Sequence, residues 1–280
     1  MIFAANFSSE LFKSSQELNT KLAYKHGAEK VFQYGYDDLS TEFKEEVKDI
    51  LKFERGGGNW VWKPYVVLDA LNRIDEGDYL IYTDSGSAAV ASYKHLVKAM
   101  DNAKVCIMPF VMSKQDFNES RYTKRDTFVY MGLDDEKYTK TPQIWAGIQA
   151  YKKCDESVAF VREWLDNCKN IDLISDLPNK CGLDNYPDFE DHRYDQSIYS
   201  LLCKKYELKM FRDPSVFRRD YNEWYADDVV DRSPYPQIFD AHRNGKIKSE
   251  KELTWKKKYL TAFYWKSELR FLLQKNGKKN

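Results

Sequence analysis

Three features of the sequence predict an α/β fold with a mixed, mainly parallel sheet flanked by helices. Short β-like runs alternate with helix-like segments along most of the chain. One run, residues 78–83 (DYLIYT), is apolar enough for a buried strand and breaks off at Asp84-Ser-Gly-Ser87. The 280 residues, 42% hydrophobic and 15% aromatic, suffice for one large core.

The elements follow in order. Residues 2–7 read as a strand and 9–26 as a helix, with Ser8 or Ser9 as its cap. Residues 30–34 form a second strand, and 41–53 a charged helix. Arg55-Gly-Gly-Gly-Asn59 is a break, followed by Trp60-Val-Trp-Lys-Pro64. An apolar helix spans 65–73, and the 78–83 strand follows. Further strands are expected at 104–111 and 143–150, then a helix at 156–167. Residues 175–188, with Pro178, Gly182 and Pro187, read as a loop. A helix at 194–205 and short strands at 207–211 and 237–240 complete the series. The one shift in composition lies beyond Gly245. It divides a single large domain, 1–245, from a basic, aromatic C-terminal helical extension, 246–280.

Lys+Arg and Asp+Glu both total 44, which argues against nucleic acid as a partner of the whole protein. The charge is uneven: residues 241–280 carry 12 Lys/Arg against three Glu. The five cysteines include no CxxC pair, and free thiols in a reduced compartment are expected. The first twelve residues have neither a basic region nor a long apolar run, and no stretch approaches 18 apolar residues. A cytoplasmic protein is expected.

Several constellations carry possible chemistry. The 78–83 strand delivers Asp84 to its C-terminal end, with Ser85 and Gly86 beside it. Ligands of open α/β sheets bind at such ends, and a carboxylate there suits Mg²⁺ or Mn²⁺ on a diphosphate. Asp-Ser-Gly is also ordinary turn chemistry. In His192-Arg-Tyr-Asp195-Gln196-Ser197 an acid and an amide open a helix. They suit a general base or the stabilisation of positive charge at a reacting sugar, and equally a helix cap. Lys63, after two tryptophans, suits a phosphate. Lys124, Arg125 and Asp126 suit a sugar diphosphate and a sugar hydroxyl, or simply a solvated helix start. Gly147, inside an apolar strand that begins near Gln143, points to close approach of a ligand or backbone. His242 follows a short strand beside Arg243 and Lys246. Phosphate loops of the GxxxxGK[ST] and GxGxxG kinds are absent, as are HExxH and GxSxG.

Asn59-Trp-Val-Trp-Lys-Pro64, Asp84-Ser-Gly86, Tyr122-Thr-Lys-Arg-Asp126 and His192-Arg-Tyr-Asp-Gln-Ser197 occur in that order. Together they resemble the motifs of GT-A fold glycosyltransferases from bacterial and viral capsule and surface-polysaccharide loci. The resemblance covers about residues 1–245. It implies a Rossmann-like sheet and transfer of a sugar from a nucleotide-sugar to a glycan or lipid-linked glycan. Asn6, Phe7, Lys63, Asp84, Ser85, Gly86, Lys124, Arg125, Asp126 and Gln143 would bind the nucleotide-sugar. Asp195 and Gln196 would be catalytic, and Asp84 with His242 would hold Mn²⁺ or Mg²⁺. Gly86 stands where that family's second metal-binding acid is found. A non-catalytic glycan- or nucleotide-binding module on the same fold is the alternative. A nucleotidyltransferase is a third, less suited because no basic glycine-rich loop lies near the first strand. The tail interleaves lysines with Trp255, Tyr259, Phe263, Tyr264 and Trp265. It suits peripheral contact with an anionic membrane on its inner face, or packing on the catalytic domain.

Overall fold

In the computed structural model, residues 1–112, 117–215 and 235–241 are described. His242, the proposed 245/246 boundary and the whole basic tail lie outside them. Among the described residues no helix is long and apolar enough to cross a membrane.

Strands β1 (Ile2–Phe7), β2 (Lys30–Tyr34), β3 (Tyr79–Thr83), β5 (Ile107–Val111), β6 (Ile144–Lys152) and β7 (Phe211–Arg212) build one sheet. Its order is β2-β1-β3-β6-β5-β7. β1 pairs in parallel with β2 and β3, and β5 with β7, while β6 runs antiparallel between β3 and β5. The expected α/β class and its mainly parallel sheet are what the chain forms. A short ribbon pairs β4 (Ser87–Ala89) with β8 (Phe239–Ala241).

Helices cover both faces, so alternate residues of each strand enter different cores. Phe3, Ala5, Phe7, Leu80 and Tyr82 pack with the helices Trp62–Asn72, Asp155–Cys168 and Asp195–Lys205. Ala4, Val31 and Ile81 pack with Lys13–Lys25 and Lys94–Ala103 on the other face. Burial on both faces makes these strands near-continuous apolar runs.

Several boundaries differ from expectation. The first helix proper begins at Lys13, after a 3-10 turn over Glu10–Phe12. The charged helix stops at Glu46, and only a turn, Ile50–Lys52, follows. The apolar helix begins at Trp62 rather than at Tyr65. Its Pro64 lies in the first turn, where a missing N–H costs nothing. The Lys94–Ala103 helix and β4 had no counterpart in the sequence reading.

One irregularity shapes the site. Between the pairs Met108–Ala150 and Phe110–Trp145, two steps along β5 meet five along β6. Pro109 lies at the step and has no N–H to give the ladder. The residues bulged out of β6 include Gly147. Such bulges re-aim the side chains beside them.

Candidate active site

Two helix N-termini converge on the C-terminal end of β3. The helix Trp62–Asn72 brings Lys63 in its first turn, and Asp195–Lys205 brings Asp195 as its first residue. Lys63 Nζ lies 3.1 Å from Asp195 Oδ2 and 3.3 Å from Asp84 Oδ1. The Tyr82 hydroxyl donates to the same Asp84 oxygen at 3.0 Å. The Lys63 and Asp195 side chains are each 4% exposed, whereas that of Asp84 is 40% exposed. A cation in the first turn of a helix opposes the helix dipole, so the two carboxylates must hold it there.

Electrostatics follow from that burial. Desolvation raises the Asp195 carboxyl to about 7, Lys63 pulls it down and Asp84 pushes it up. Burial works against the Lys63 ammonium, but Asp195 and Asp84 outweigh it and leave its pKa above the ordinary lysine value. Apart from this ion pair, Asp195 Oδ2 accepts no hydrogen bond among the described residues. That oxygen is itself buried, so the Lys63 ammonium is what compensates its charge.

Two cavities meet at this cluster. One, of about 400 Å³, is walled by Asp195, Gln196, Lys63, Arg55, Arg193 and Trp145, among others. The second, of about 780 Å³, runs from Asp84, Ser85 and Gly86 past Phe7 and Trp62 to Gly56 and Gly57. Trp60, Asp84, Gly86 and Ser87 line both.

Backbone constraints hold the walls. Asp84 N–H donates to Gly147 O at 2.8 Å. A Cβ on Gly147 would stand 2.5 Å from Trp145 Nε1 and 2.8 Å from Asp84 Oδ2. The close approach expected there is thus of two site side chains. Trp60 (φ 60°) and Tyr194 (φ 53°) hold left-handed backbone, with ring centroids 5.7 Å apart. Strain of this kind is maintained only where surrounding structure over-determines it.

The structure places the other sequence-derived residues variously. Phe7 lines the second cavity with its ring stacked on Trp62 at 3.7 Å. Asn6 is fully buried and lines neither cavity. It donates to Asn19 Oδ1 at 2.8 Å, and Asn19 Nδ2 donates to Thr83 Oγ1 at 2.8 Å and to Ser87 O at 2.5 Å. Asn6 therefore positions the loop around Asp84 rather than contacting a nucleotide. Gln143 is buried behind Gln196, whose Nε2 donates to Gln143 Oε1 at 2.7 Å. Gln196 Oε1 accepts the Ala146 N–H at 3.3 Å.

Lys124, Arg125 and Asp126 lie away from both cavities, contrary to expectation. Lys124 Nζ donates to Leu177 O at 2.9 Å and pairs with Asp126 at 3.3 Å. The Asp126 carboxylate accepts the Lys180 and Cys181 N–H groups at 2.9 and 2.8 Å. Burial raises its pKa, but those bonds outweigh it and hold it below the usual carboxylate value. Arg125 pairs with Asp134 at 2.8 Å and lies over the Tyr186 ring at 4.1 Å. The acid and cations of this segment tie down the 175–188 loop, and so are spent on structure. His192 is likewise structural. Its Nδ1 accepts the Lys124 N–H at 3.2 Å and its Nε2 faces Leu173 O at 2.9 Å, an arrangement that fits the neutral ring.

A divalent cation at Asp84 requires further donors. Among the described residues no group of three His, Cys, Asp or Glu ligand atoms includes Asp84. Gly86 contributes no side chain, and Lys63 already lies against Asp84. The described residues alone do not make a metal site there.

No family model matches the sequence, and neither does any curated protein. Two solved glycosyltransferases match it at low similarity. One is a glycosyltransferase involved in the glycosylation of the major capsid of PBCV-1, with 11% identity and a TM-score of 0.42. The match covers 90% of this chain and 97% of that one. The other is mouse xyloside xylosyltransferase 1 in its apo form, also 11% identical, with a TM-score of 0.44. It covers 89% of this chain and all of that one.

The sequence alone suggested that the Trp60 ring could stack on a base or sugar, and Trp60 does line the first cavity. It assigned no role to Arg55, Trp145 or Arg193, which line the same cavity. For Arg55 a signal was present, because it precedes three glycines whose backbone turns at φ between 57° and 90°. Arg193 lies within the 192–197 motif, where the acid and amide carried the expectation. Trp145 reads as an ordinary residue of an apolar strand.

Proposed function

We propose that this chain is a glycosyltransferase acting on a nucleotide-sugar, with a glycan or lipid-linked glycan as acceptor. The observation that carries the reading is Lys63, which joins Asp84 and Asp195 where the two cavities meet. The larger cavity takes the nucleotide, and the smaller takes the sugar and the acceptor hydroxyl. In transfer, the bond from the anomeric carbon to the diphosphate oxygen breaks and a bond to the acceptor oxygen forms. Asp195, ionised, receives the acceptor proton, a task suited to a carboxyl near pH 7. The Lys63 ammonium keeps Asp195 ionised and offsets charge on the departing diphosphate. Gln196, fixed at both ends, faces the sugar. A role in surface-polysaccharide synthesis, and Mn²⁺ or Mg²⁺ held by Asp84 with His242, extend the same reading. No step above depends on the metal.

The test is turnover with a panel of nucleotide-sugars, read as both hydrolysis and transfer. Asp84→Ala is expected to abolish turnover in a folded protein. Asp195→Asn is expected to lower kcat about a hundredfold or more while donor binding persists. Nucleotide-sugar binding with no turnover in the wild type favours the binding module, a reading supported by the missing second acid at Gly86.

A further inference from the structure

Five cysteines are free, and two of them meet at the end of the sheet remote from Asp84. Cys106 immediately precedes β5, and its carbonyl accepts the Lys152 N–H at 2.8 Å. Cys154 follows β6 and caps the helix Asp155–Cys168, its Sγ accepting the Ser157 N–H at 3.5 Å. Glu156 stands in the first turn of that helix. The two sulfurs and a Glu156 carboxylate oxygen all lie within 4.8 Å of one another. The register gives the location. Lys152 pairs with Tyr79, the first residue of β3, whereas Asp84 follows its last, about 16 Å along the strand.

We propose that Cys106, Cys154 and Glu156 form a site for a thiophilic divalent cation of the Zn²⁺ kind. Bonds of about 2.3 Å to sulfur and about 2.1 Å to oxygen set tetrahedral ligand atoms roughly 3.5–3.8 Å apart, a separation that falls inside the 4.8 Å within which these three atoms lie. Two thiolates and one carboxylate, with water as a fourth ligand, suit Zn²⁺ and disfavour Mg²⁺ and Mn²⁺. The site is therefore chemically distinct from any metal requirement of sugar transfer and independent of that reading. Both sulfurs are half-buried and Glu156 is exposed, so the cation can enter from solvent. Bound there, it ties the start of β5 to the helix that follows β6. Lys152 lies nearby but leans over the Tyr79 ring and pairs with Asp101 at 3.8 Å. Binding releases the thiol protons, so affinity rises with pH.

The test titrates the reduced, metal-free full chain with Co²⁺, then with Zn²⁺. One equivalent of Co²⁺ is expected to give thiolate-to-metal charge-transfer absorption that Zn²⁺ abolishes. Cys106→Ser and Cys154→Ser should lose the band, Cys181→Ser should keep it, and Glu156→Gln should keep it with weaker affinity. Should a serine variant fail to fold, alkylation of the wild type read by mass spectrometry decides. Zn²⁺ should then protect Cys106 and Cys154 together. Absence of the band in the reduced wild type, its survival in both serine variants, or protection of other cysteines instead would overturn the site.

Discussion

Lys63 is enclosed by Trp60, Trp62 and Tyr82, with its ammonium about 6 Å from each ring centroid and close to two carboxylates. Its removal has a signed consequence. Asp195 must be ionised to take a proton, so activity should rise with pH through about 7 in the wild type. Lys63 is the attraction that lowers the Asp195 pKa, while burial and Asp84 raise it. Lys63→Met, similar in length but uncharged, should therefore shift this limb to higher pH as well as reduce the maximum rate. A pH profile of kcat/KM for both proteins checks this. A limb that stays in place in the variant would remove Asp195 as the titrating group.

At the scale of the element, the bulge in β6 and the loop after β3 act as one unit. Gly147 contributes its carbonyl to Asp84 N–H and leaves room for the Asp84 carboxylate and the Trp145 indole. Behind them, Asn6 and Asn19 hold the same loop through side-chain amides. Gly147→Ala places a methyl group against both Asp84 and Trp145, so one of them must move. The expected result is a folded protein with kcat/KM lower by about a hundredfold, the effect of displacing a reacting group by an ångström. Circular dichroism and steady-state kinetics on one preparation check it. Wild-type rates would mean that Asp84 has slack the geometry does not show.

For the molecule as a whole, acid stability should depend on His192. This ring is buried, and desolvation lowers its pKa to about 3, from 6.5 for the free side chain. Below pH 6.5 the unfolded chain binds a proton that the folded chain refuses. Stability from this group is thus complete above pH 6.5 and is lost as the pH falls toward 3, by up to about 1.4 kcal/mol per unit. Denaturant titrations at several pH values should show that slope. His192→Gln, which does not titrate, should flatten it while lowering stability near neutrality. Equal slopes in the two proteins would show that the ring is protonated in the fold. His192 bonds to Lys124 and faces Leu173, so its loss loosens the loop behind the site rather than the site itself.

The sequence by itself determined the α/β class, because burial of both sheet faces leaves a local, apolar record in runs such as 78–83. It also marked Lys63, Asp84, Asp195 and Gln196, since acids and amides at strand ends and helix starts interrupt apolar patterns. It did not separate them from Lys124, Arg125 and Asp126, which carry the same chemistry in an equally suggestive motif. The difference is one of partners. Asp126 receives two backbone N–H groups from residues 180 and 181, whereas Asp195 faces a cavity. Contacts over such separations leave no local trace. The same holds for Asn6, turned into the helix beneath it, and for Cys106 and Cys154, brought together by the antiparallel pairing of β5 with β6. Only the tertiary structure decided which charges are neutralised inside the protein and which remain for a substrate, because neutralisation depends on distances of 3–4 Å between residues far apart in the chain.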